Sequence, residues 1–201
     1  MTMTGYCCSF SFKSTSLTYF ERLILFSIAF FFISNFLQNE KITTTGNPVR
    51  KDLIDLSGKK EKASEFFKLK EQVPTILIIG GSQGARSINL AIQDGLSLFE
   101  KAGIQLIWQT GIHYESEAKK AVSQFPYLNA YVSAFIYKMD FAYAMADLVI
   151  SRAGALSVSE ICMSGKPSLL IPLPNAAEDH QTENAKSLVT ENAAILITDK
   201  S

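Results

Sequence analysis

Residues 75–86 read TILIIGGSQGAR, and this stretch decides the fold class. Five apolar or β-favouring residues at 75–79 run into two glycines, as in a buried parallel strand that ends in a turn. Downstream, apolar runs predict strands at 104–108, 130–133, 148–151, 168–171 and 194–197. Helices are predicted between them, at 87–102, 114–123, 140–145, 156–163 and 179–191. About six strands alternating with helices predict an α/β fold with a doubly wound parallel sheet.

Composition limits the classes of protein to consider. The 201 residues carry 19 basic and 19 acidic side chains, and 47% of them are hydrophobic. This length suits one domain or one and a half, with enough apolar content for a packed core. Zero net charge argues against a protein held on nucleic acid by bulk charge. Three cysteines, two of them adjacent (Cys7 and Cys8), form neither a disulfide framework nor a zinc spacing, which indicates a compartment that is reducing or at least indifferent to redox.

The first 41 residues differ from the rest of the chain. Residues 23–37 read LILFSIAFFFISNFL without a single charge, but a membrane-spanning helix needs about 20 such residues. No small-x-small cleavage site of a signal peptide follows them. Four interpretations stay open: a membrane anchor, a surface-seeking helix, a core element without its partners, or sequence foreign to the functional protein. We therefore treat residues 1–41 and 42–201 as separate regions.

The turn at residues 80–86 is a candidate anion site, because ligands of parallel sheets bind beyond the carboxyl ends of the strands. Its three glycines allow close backbone approach, and the following helix offers free N–H groups. A tight turn without a ligand is the alternative. No Gly-Lys-Ser/Thr follows, so it is not a P-loop, and the G-x-G-x-x-G spacing is absent. The second strand ends in Gln109 and Thr110. A dinucleotide site has at this place an acidic residue that holds the ribose, so the sequence argues against NAD binding.

A second candidate loop, residues 151–160, reads SRAGALSVSE. Small residues again precede a helix, whose first N–H groups could receive a phosphate or diphosphate. Glu160, one turn into that helix, could reach the two hydroxyls of a ribose. Ser157 and Glu160 also have the spacing of a capping box, in which Glu160 would only satisfy backbone groups. Spacing alone leaves the two interpretations open.

A third loop consists of PLP at 172–174, followed by EDHQ at 178–181. Its polar side chains could contact a sugar, although spacing alone favours ordinary N-capping by Asp179. The two histidines, His113 and His180, lie too far apart in the sequence to suggest a dyad. No cysteine or carboxylate pattern near them points to a metal site.

A fourth candidate precedes the first strand, where residues 45–50 read TGNPVR. The guanidinium of Arg50 could pair with a phosphate through two hydrogen bonds. By itself, the motif could equally be a turn carrying one solvated arginine. Each of the four loops is therefore a weak signal by itself, and only their order along the chain is specific.

In that order, the motifs resemble the MurG family of glycosyltransferases. They are TGNPVR (45–50), GGSQGARSIN (80–89), WQTG (108–111), FI (135–136) with MDFAYAMADLVISRAGALSVSE (139–160), and GKPSLLIPLPNAAEDHQTENA (165–185). The family transfers N-acetylglucosamine to the lipid-linked muramoyl-pentapeptide precursor of peptidoglycan. Its members have two Rossmann-like domains in the GT-B arrangement. The resemblance covers residues 42–199 and implies the C-terminal, donor-binding half.

The resemblance implies a binding site for UDP-N-acetylglucosamine. Arg50 and Ser82 would face the diphosphate, and Ile136 would read the uracil edge through its backbone. Glu160 would hold the ribose and Gln181 the amino sugar. The remaining implied contacts lie at the start of the helix that would point at the diphosphate, namely Ala155, Leu156, Ser157, Val158 and Ser159. No metal or other cofactor is implied, because a helix N-terminus together with an arginine can stabilise the departing UDP.

The family's N-terminal domain, with its acceptor-binding face and proposed general base, has no counterpart in residues 1–41. We therefore assign no catalytic residue and expect a fragment that is inactive alone. The chain also stops before the closing helices expected after the last strand. We expect residues 1–41 to arise from a truncated or frame-disturbed reading of the gene.

Two alternatives to the donor half of a MurG-like transferase stay open. One is another GT-B nucleotide-sugar transferase, or one subunit of a split enzyme. The other is a membrane-tethered binding module without catalysis. The resemblance implies UDP-N-acetylglucosamine as a partner, the lipid-linked acceptor only together with the missing domain, and no nucleic acid. It also implies a peripheral location at the cytoplasmic face of the bacterial inner membrane.

Overall fold

In a computed structural model, residues 47–81, 84–174 and 179–199 are described. The interpretations placed on residues 1–41 and on Ser82 lie outside these ranges. The described residues form one six-stranded parallel sheet in the spatial order β3-β2-β1-β4-β5-β6, which confirms the predicted doubly wound α/β class. The strands are β1 (Thr75–Ile79), β2 (Gln105–Gln109), β3 (Ala130–Ser133), β4 (Leu148–Ser151), β5 (Ser168–Leu170) and β6 (Ala194–Leu196).

Helices connect these strands and cover both faces of the sheet. In the described part of the chain they are α1 (Lys60–Phe67), α2 (Arg86–Asp94), α3 (Leu96–Ala102), α4 (Glu115–Val122), α5 (Met139–Met145), α6 (Ala155–Ser164) and α7 (His180–Thr190). A short 3-10 helix, Lys51–Leu53, precedes α1. Neither the 3-10 helix nor α1 is predicted from the sequence. The predicted helices after β2, β3, β4 and β5 are confirmed within one or two residues.

The single helix predicted at 87–102 is wrong, because the structure divides it at Gly95 into α2 and α3. The N–H of Gly95 is shared between the carbonyls of Ala91 and Ile92, each 3.1 Å away, so the chain tightens there. Glycine has little preference for a helix interior, which makes it a suitable place for a change of direction. Leu96, at the start of α3, is fully buried after the bend.

Two apolar layers enclose the sheet, and β1 contributes to both because its side chains alternate between faces. Leu77 packs in the layer that contains Ile107 and Tyr143. Ile78 packs in the opposite layer with Trp108, which is fully buried. A parallel sheet covered on both faces leaves its strand ends as the accessible positions for a ligand.

The order of the strands places two loops side by side at the carboxyl edge. β1 lies between β2 and β4, and Ile79 is in register with Gln109 on one side and Ser151 on the other. The connections leave β1 and β4 in opposite directions, so this is the point at which a doubly wound sheet opens a crevice. The glycine turn after β1 and the loop after β4 therefore lie next to each other.

The segment before the sheet is attached to α5 and α6. Asn47 donates from Nδ2 to Ser159 Oγ at 2.7 Å, and Lys59 Nζ contacts Asp140 Oδ2 at 3.1 Å. Between these two attachments, Leu53 is fully buried. The attachments place Arg50 against the side of α6.

Candidate functional site

An open cleft of about 980 Å³ lies at the carboxyl edge of the sheet. Three of the four loops predicted from the sequence contribute to it, which is what the strand order leads us to expect. The lining residues come from the turn after β1 and the start of α2, from the loop after β4 and the start of α6, and from the segment between β5 and α7. They are Gly80, Gly81, Gly84, Ala85, Arg86, Ser87, Leu90, Arg152, Gly154, Ser157, Leu173, Pro174 and Gln181.

The glycine turn requires glycine at Gly84 for two reasons. Its φ is +77°, a left-handed value that side chains rarely adopt, and a Cβ there would overlap the carbonyl oxygen of Thr110. Gln109 holds the same turn, because its Nε2 donates to the carbonyl of Gly81 at 3.1 Å. Gly81 and Gly84 are therefore held against the end of β2.

Asn89 fixes the start of α2 against the same strand end. Its Nδ2 donates to the carbonyl of Thr110 at 2.8 Å, and its Oδ1 accepts a hydrogen bond from the Trp108 indole at 3.0 Å. Asn89 is 2% exposed, so both bonds are made away from water. These hydrogen bonds among Asn89, Trp108 and Thr110 hold one wall of the cleft rigidly.

The N-terminus of α6 opens into the cleft without a side-chain cap. The helix begins at Ala155, Gly154 is the residue before it, and the first helical bond runs from the Val158 N–H to the Gly154 carbonyl. The N–H groups of the first three residues therefore have no partner within the helix. The capping-box interpretation of Ser157 and Glu160 is wrong, because both residues lie inside the helix.

Glu160 lies against Arg50 on the side of α6. Arg50 Nε is 3.6 Å from Glu160 Oε1, and the two side chains are 39% and 8% exposed. Burial raises the pKa of Glu160, with the charge of Asp52 acting in the same direction, while Arg50 and the Tyr143 hydroxyl oppose the rise. The Glu160 Oε1 and Arg50 Nη1 atoms are buried and make no hydrogen bond within the described protein. Both atoms therefore have unused hydrogen-bonding capacity, and neither residue is among those that line the cleft.

Replacing Glu160 with glutamine is expected to change how stability depends on pH. A carboxyl whose pKa is raised in the folded state stabilises the fold when protonated, and this contribution is lost as the pH rises through the raised value. The free energy of unfolding of the natural chain should therefore fall, relative to Glu160→Gln, as the pH rises from 4.5 toward neutrality. Urea denaturation at several pH values measures this difference, and parallel pH profiles would contradict it.

Ile136 is buried behind the glycine turn rather than lining the cleft. Its N–H donates to Gln109 Oε1 at 3.1 Å, and the Nε2 of the same glutamine holds the Gly81 carbonyl. Gln109 thus joins the segment after β3 to the turn after β1. Because the N–H of Ile136 is engaged, its carbonyl is the backbone group that remains for a ligand.

Gln181 lies at the start of α7 and lines the cleft. Its Oε1 accepts a hydrogen bond from the Leu173 N–H at 3.0 Å, which ties α7 to the loop after β5. Asp179 precedes the helix with a φ of +53°, but its side chain does not cap α7. Its Oδ1 instead accepts a hydrogen bond from the hydroxyl of Thr182 at 2.6 Å, so the expectation of ordinary N-capping by Asp179 is wrong.

The residues named by the resemblance fall into separate groups. Ser157 and Gln181 share the cleft, whereas Arg50 and Glu160 form a pair one turn along α6 from Ser157. The other named helix residues differ in exposure: Ala155 and Leu156 are exposed, Val158 packs in the apolar core, and Ser159 bonds Asn47.

Sequence reasoning missed two residues that hold the site together. In the sequence, Gln109 stands only where a dinucleotide site has an acidic residue, and Arg152 stands only within a motif. Each makes contacts to backbone carbonyls distant in sequence, so no local spacing shows them. Their position directly at the end of β2 and directly after β4 is the signal that could have found them.

Neither a metal centre nor a membrane span is found in the part of the chain that the structure describes. There, no three histidine, cysteine or carboxylate side chains are grouped to hold a metal ion. No helix within the same residues is both long and apolar enough to cross a bilayer.

The sheet order and the cleft at its switch point define a Rossmann-like domain of the kind found in GT-B glycosyltransferases. The chain belongs to glycosyltransferase family 28, since the model of that family's C-terminal domain matches residues 75–201. The crystal structure of MurG from Acinetobacter baumannii superimposes with a TM-score of 0.60 at 29% identity, over 78% of this chain and 44% of that one.

Two relatives carry the name UDP-N-acetylglucosamine--N-acetylmuramyl-(pentapeptide) pyrophosphoryl-undecaprenol N-acetylglucosamine transferase. The chain is 50% identical to the protein from Parabacteroides distasonis over 173 residues, 86% of this chain and 47% of that protein. It is 48% identical to the one from Porphyromonas gingivalis over 168 residues, 83% of this chain and 44% of that protein. The resemblance to the MurG family is thus confirmed, and the chain spans about half the length of these relatives.

Proposed function

We propose that this chain provides the UDP-N-acetylglucosamine-binding part of a transferase. The whole enzyme would move N-acetylglucosamine to the lipid-linked muramoyl-pentapeptide of peptidoglycan synthesis. One observation carries the proposal: the region that aligns with transferases of this name at 50% identity contains the cleft at the switch point of the sheet. Ligands of doubly wound folds bind at that point.

The diphosphate of the donor would lie at the N-terminus of α6. The free N–H groups of Ala155, Leu156 and Ser157 and the positive end of the helix dipole both favour an anion there. Ser82, which lies outside the described residues, would also face the diphosphate, as the resemblance implies. When the sugar is transferred, UDP leaves with increased negative charge, and donors fixed in advance stabilise that charge without a metal.

The nucleoside would be held by groups deeper along α6. Glu160 has two carboxylate oxygens, which suit the two hydroxyls of a ribose, and Arg50 would hold this carboxylate while facing the phosphates. The carbonyl of Ile136 would accept a hydrogen bond from the uracil ring. Val158 and Ser159 would contribute only indirectly, because the Val158 N–H bonds the Gly154 carbonyl and the Ser159 hydroxyl bonds Asn47.

The amino sugar would reach Gln181 at the other side of the cleft. The Oε1 of Gln181 already accepts from Leu173, so its amide NH₂ is the group left to donate to a sugar hydroxyl or acetyl oxygen. This contact would favour N-acetylglucosamine over glucose. Glucose has no acetyl group, so it would leave the amide NH₂ of Gln181 without that partner.

We further propose that residues 42–201 act as a donor-binding domain and that residues 1–41 take no part in it. The acceptor site and the general base would then come from outside the matched region. Peripheral attachment at the cytoplasmic face of the bacterial inner membrane would follow from the lipid-linked acceptor of the relatives.

Calorimetric titration of the full chain tests the proposal. We expect saturable binding of UDP-N-acetylglucosamine, weaker binding of UDP-glucose, and no binding of NAD. Circular dichroism first establishes that the sample is folded. A folded chain that binds no uridine nucleotide would refute the proposed function.

A further inference from the structure

Arg152 joins four segments around the cleft. Its Nη1 donates to the carbonyls of Ile171 and Pro172, at 3.2 and 3.0 Å, in the loop after β5. Its Nη2 donates to Ser87 Oγ at 2.9 Å, in the first turn of α2, and lies 2.8 Å from Asp199 Oδ2, beyond β6. Ser87 in turn donates to the same Asp199 oxygen at 2.6 Å.

Both terminal nitrogens of the Arg152 guanidinium donate all of their N–H groups to acceptors within the protein. Each of them makes two contacts, and the side chains of Arg152 and Asp199 are 13% and 6% exposed. Arg152 also lines the cleft, so it lies beside the candidate ligand position without a terminal donor left over. The contacts suit arginine specifically, because a lysine ammonium cannot reproduce a planar fork toward four acceptors.

We propose that Arg152 is a positioning residue for the donor diphosphate. This inference rests on the proposed function and adds a role that the sequence does not indicate. By holding Ser87 at the start of α2 and the loop that leads to Leu173, it sets the separation of the walls that would face the diphosphate. Asp199 keeps the guanidinium in place, so the segment after β6 acts on the site indirectly.

The test compares UDP with uridine, because only UDP carries the diphosphate. The full natural chain and Arg152→Lys are titrated with each compound. We expect the Kd for UDP to rise about tenfold in Arg152→Lys, since the loss of one well-placed hydrogen bond to the diphosphate has an effect of that order. The Kd for uridine should stay within about twofold, because Ile136 and Glu160 are held by other contacts.

Leu128→Ala is the control for general destabilisation. Leu128 is buried in the apolar core just before β3, at the edge of the sheet opposite to the cleft. This variant's ratio of UDP to uridine affinity should equal that of the natural chain. Ser87→Ala is a milder second variant if Arg152→Lys does not fold, and we expect about a threefold selective loss of UDP affinity.

The outcomes separate this inference from the proposed function. If the folded natural chain binds neither compound, the proposed function fails and the inference with it. If the natural chain binds UDP, and Arg152→Lys binds it equally well or loses UDP and uridine affinity by the same factor, only the positioning role is refuted. The same outcomes, if measured with Ser87→Ala, lead to the same conclusions.

Discussion

Glu160→Ala should raise the Kd for UDP-N-acetylglucosamine about 100-fold, the largest effect on binding that we expect from a single substitution. Glu160 is the buried carboxylate whose Oε1 makes no hydrogen bond within the described protein. Two hydrogen bonds from ribose hydroxyls to a charged acceptor contribute roughly 3 kcal/mol together, which corresponds to that factor. Glu160→Gln, which keeps an acceptor oxygen, should lose less.

Glu183→Ala provides the matched control for this prediction. Glu183 is a glutamate on α7 that pairs with Lys186 at 2.8 Å and is 67% exposed. Its removal should leave the Kd unchanged, since its carboxylate is exposed to solvent and its partner lies on the same helix. Calorimetric titration of the three variants measures the series. Equal affinity of Glu160→Ala and Glu183→Ala would show that Glu160 does not bind the ribose.

Gly84→Ala should produce a large loss of stability, a decrease of about 3 kcal/mol in the free energy of unfolding. Adopting a φ of +77° costs an alanine about 1–2 kcal/mol. The new Cβ would also overlap the Thr110 carbonyl, and backbone atoms cannot move aside as a flexible side chain can. That displacement adds a cost typical of overpacking, about 1–3 kcal/mol.

Gly81→Ala separates these two contributions. Gly81 has a φ of +79°, but among the described residues no atom lies within 4 Å of the position its Cβ would take. Only the conformational cost should therefore appear, about 1–2 kcal/mol. Urea denaturation followed by circular dichroism gives both values. Equal losses for the two variants would contradict the close approach of the turn to Thr110.

Much of the sheet could be predicted from the sequence, because its strands are short apolar runs with clear ends. The bounds of β1, β3 and β4 agree with the prediction residue for residue. α1 was missed because it reads KEKASEFF and buries only Ala63 and Phe67, which is too weak an apolar pattern to recognise. The bend at Gly95 depends on how Leu96 packs against the sheet, and periodicity does not contain that information.

The candidate site was predictable only in its outline. Strand-end loops could be located because a parallel sheet gathers them at one edge, and Ser157 and Gln181 do line one cleft. Their partners could not be located. Asp199 reaches Arg152 across 47 positions of sequence, and the Arg50–Glu160 pair spans 110. Such contacts follow from the fold and not from local spacing.

The central claim is that the cleft at the carboxyl edge of the sheet binds the donor, and amide chemical shifts test it most directly. Nuclear magnetic resonance spectra of the full chain are recorded with increasing UDP-N-acetylglucosamine. We predict saturable shifts of the amides of residues 154–160 and 84–89, with little change at Gly103 and Ile104, which precede β2 at the opposite edge. Shifts confined to the opposite edge, or no shifts at millimolar donor, would contradict the account.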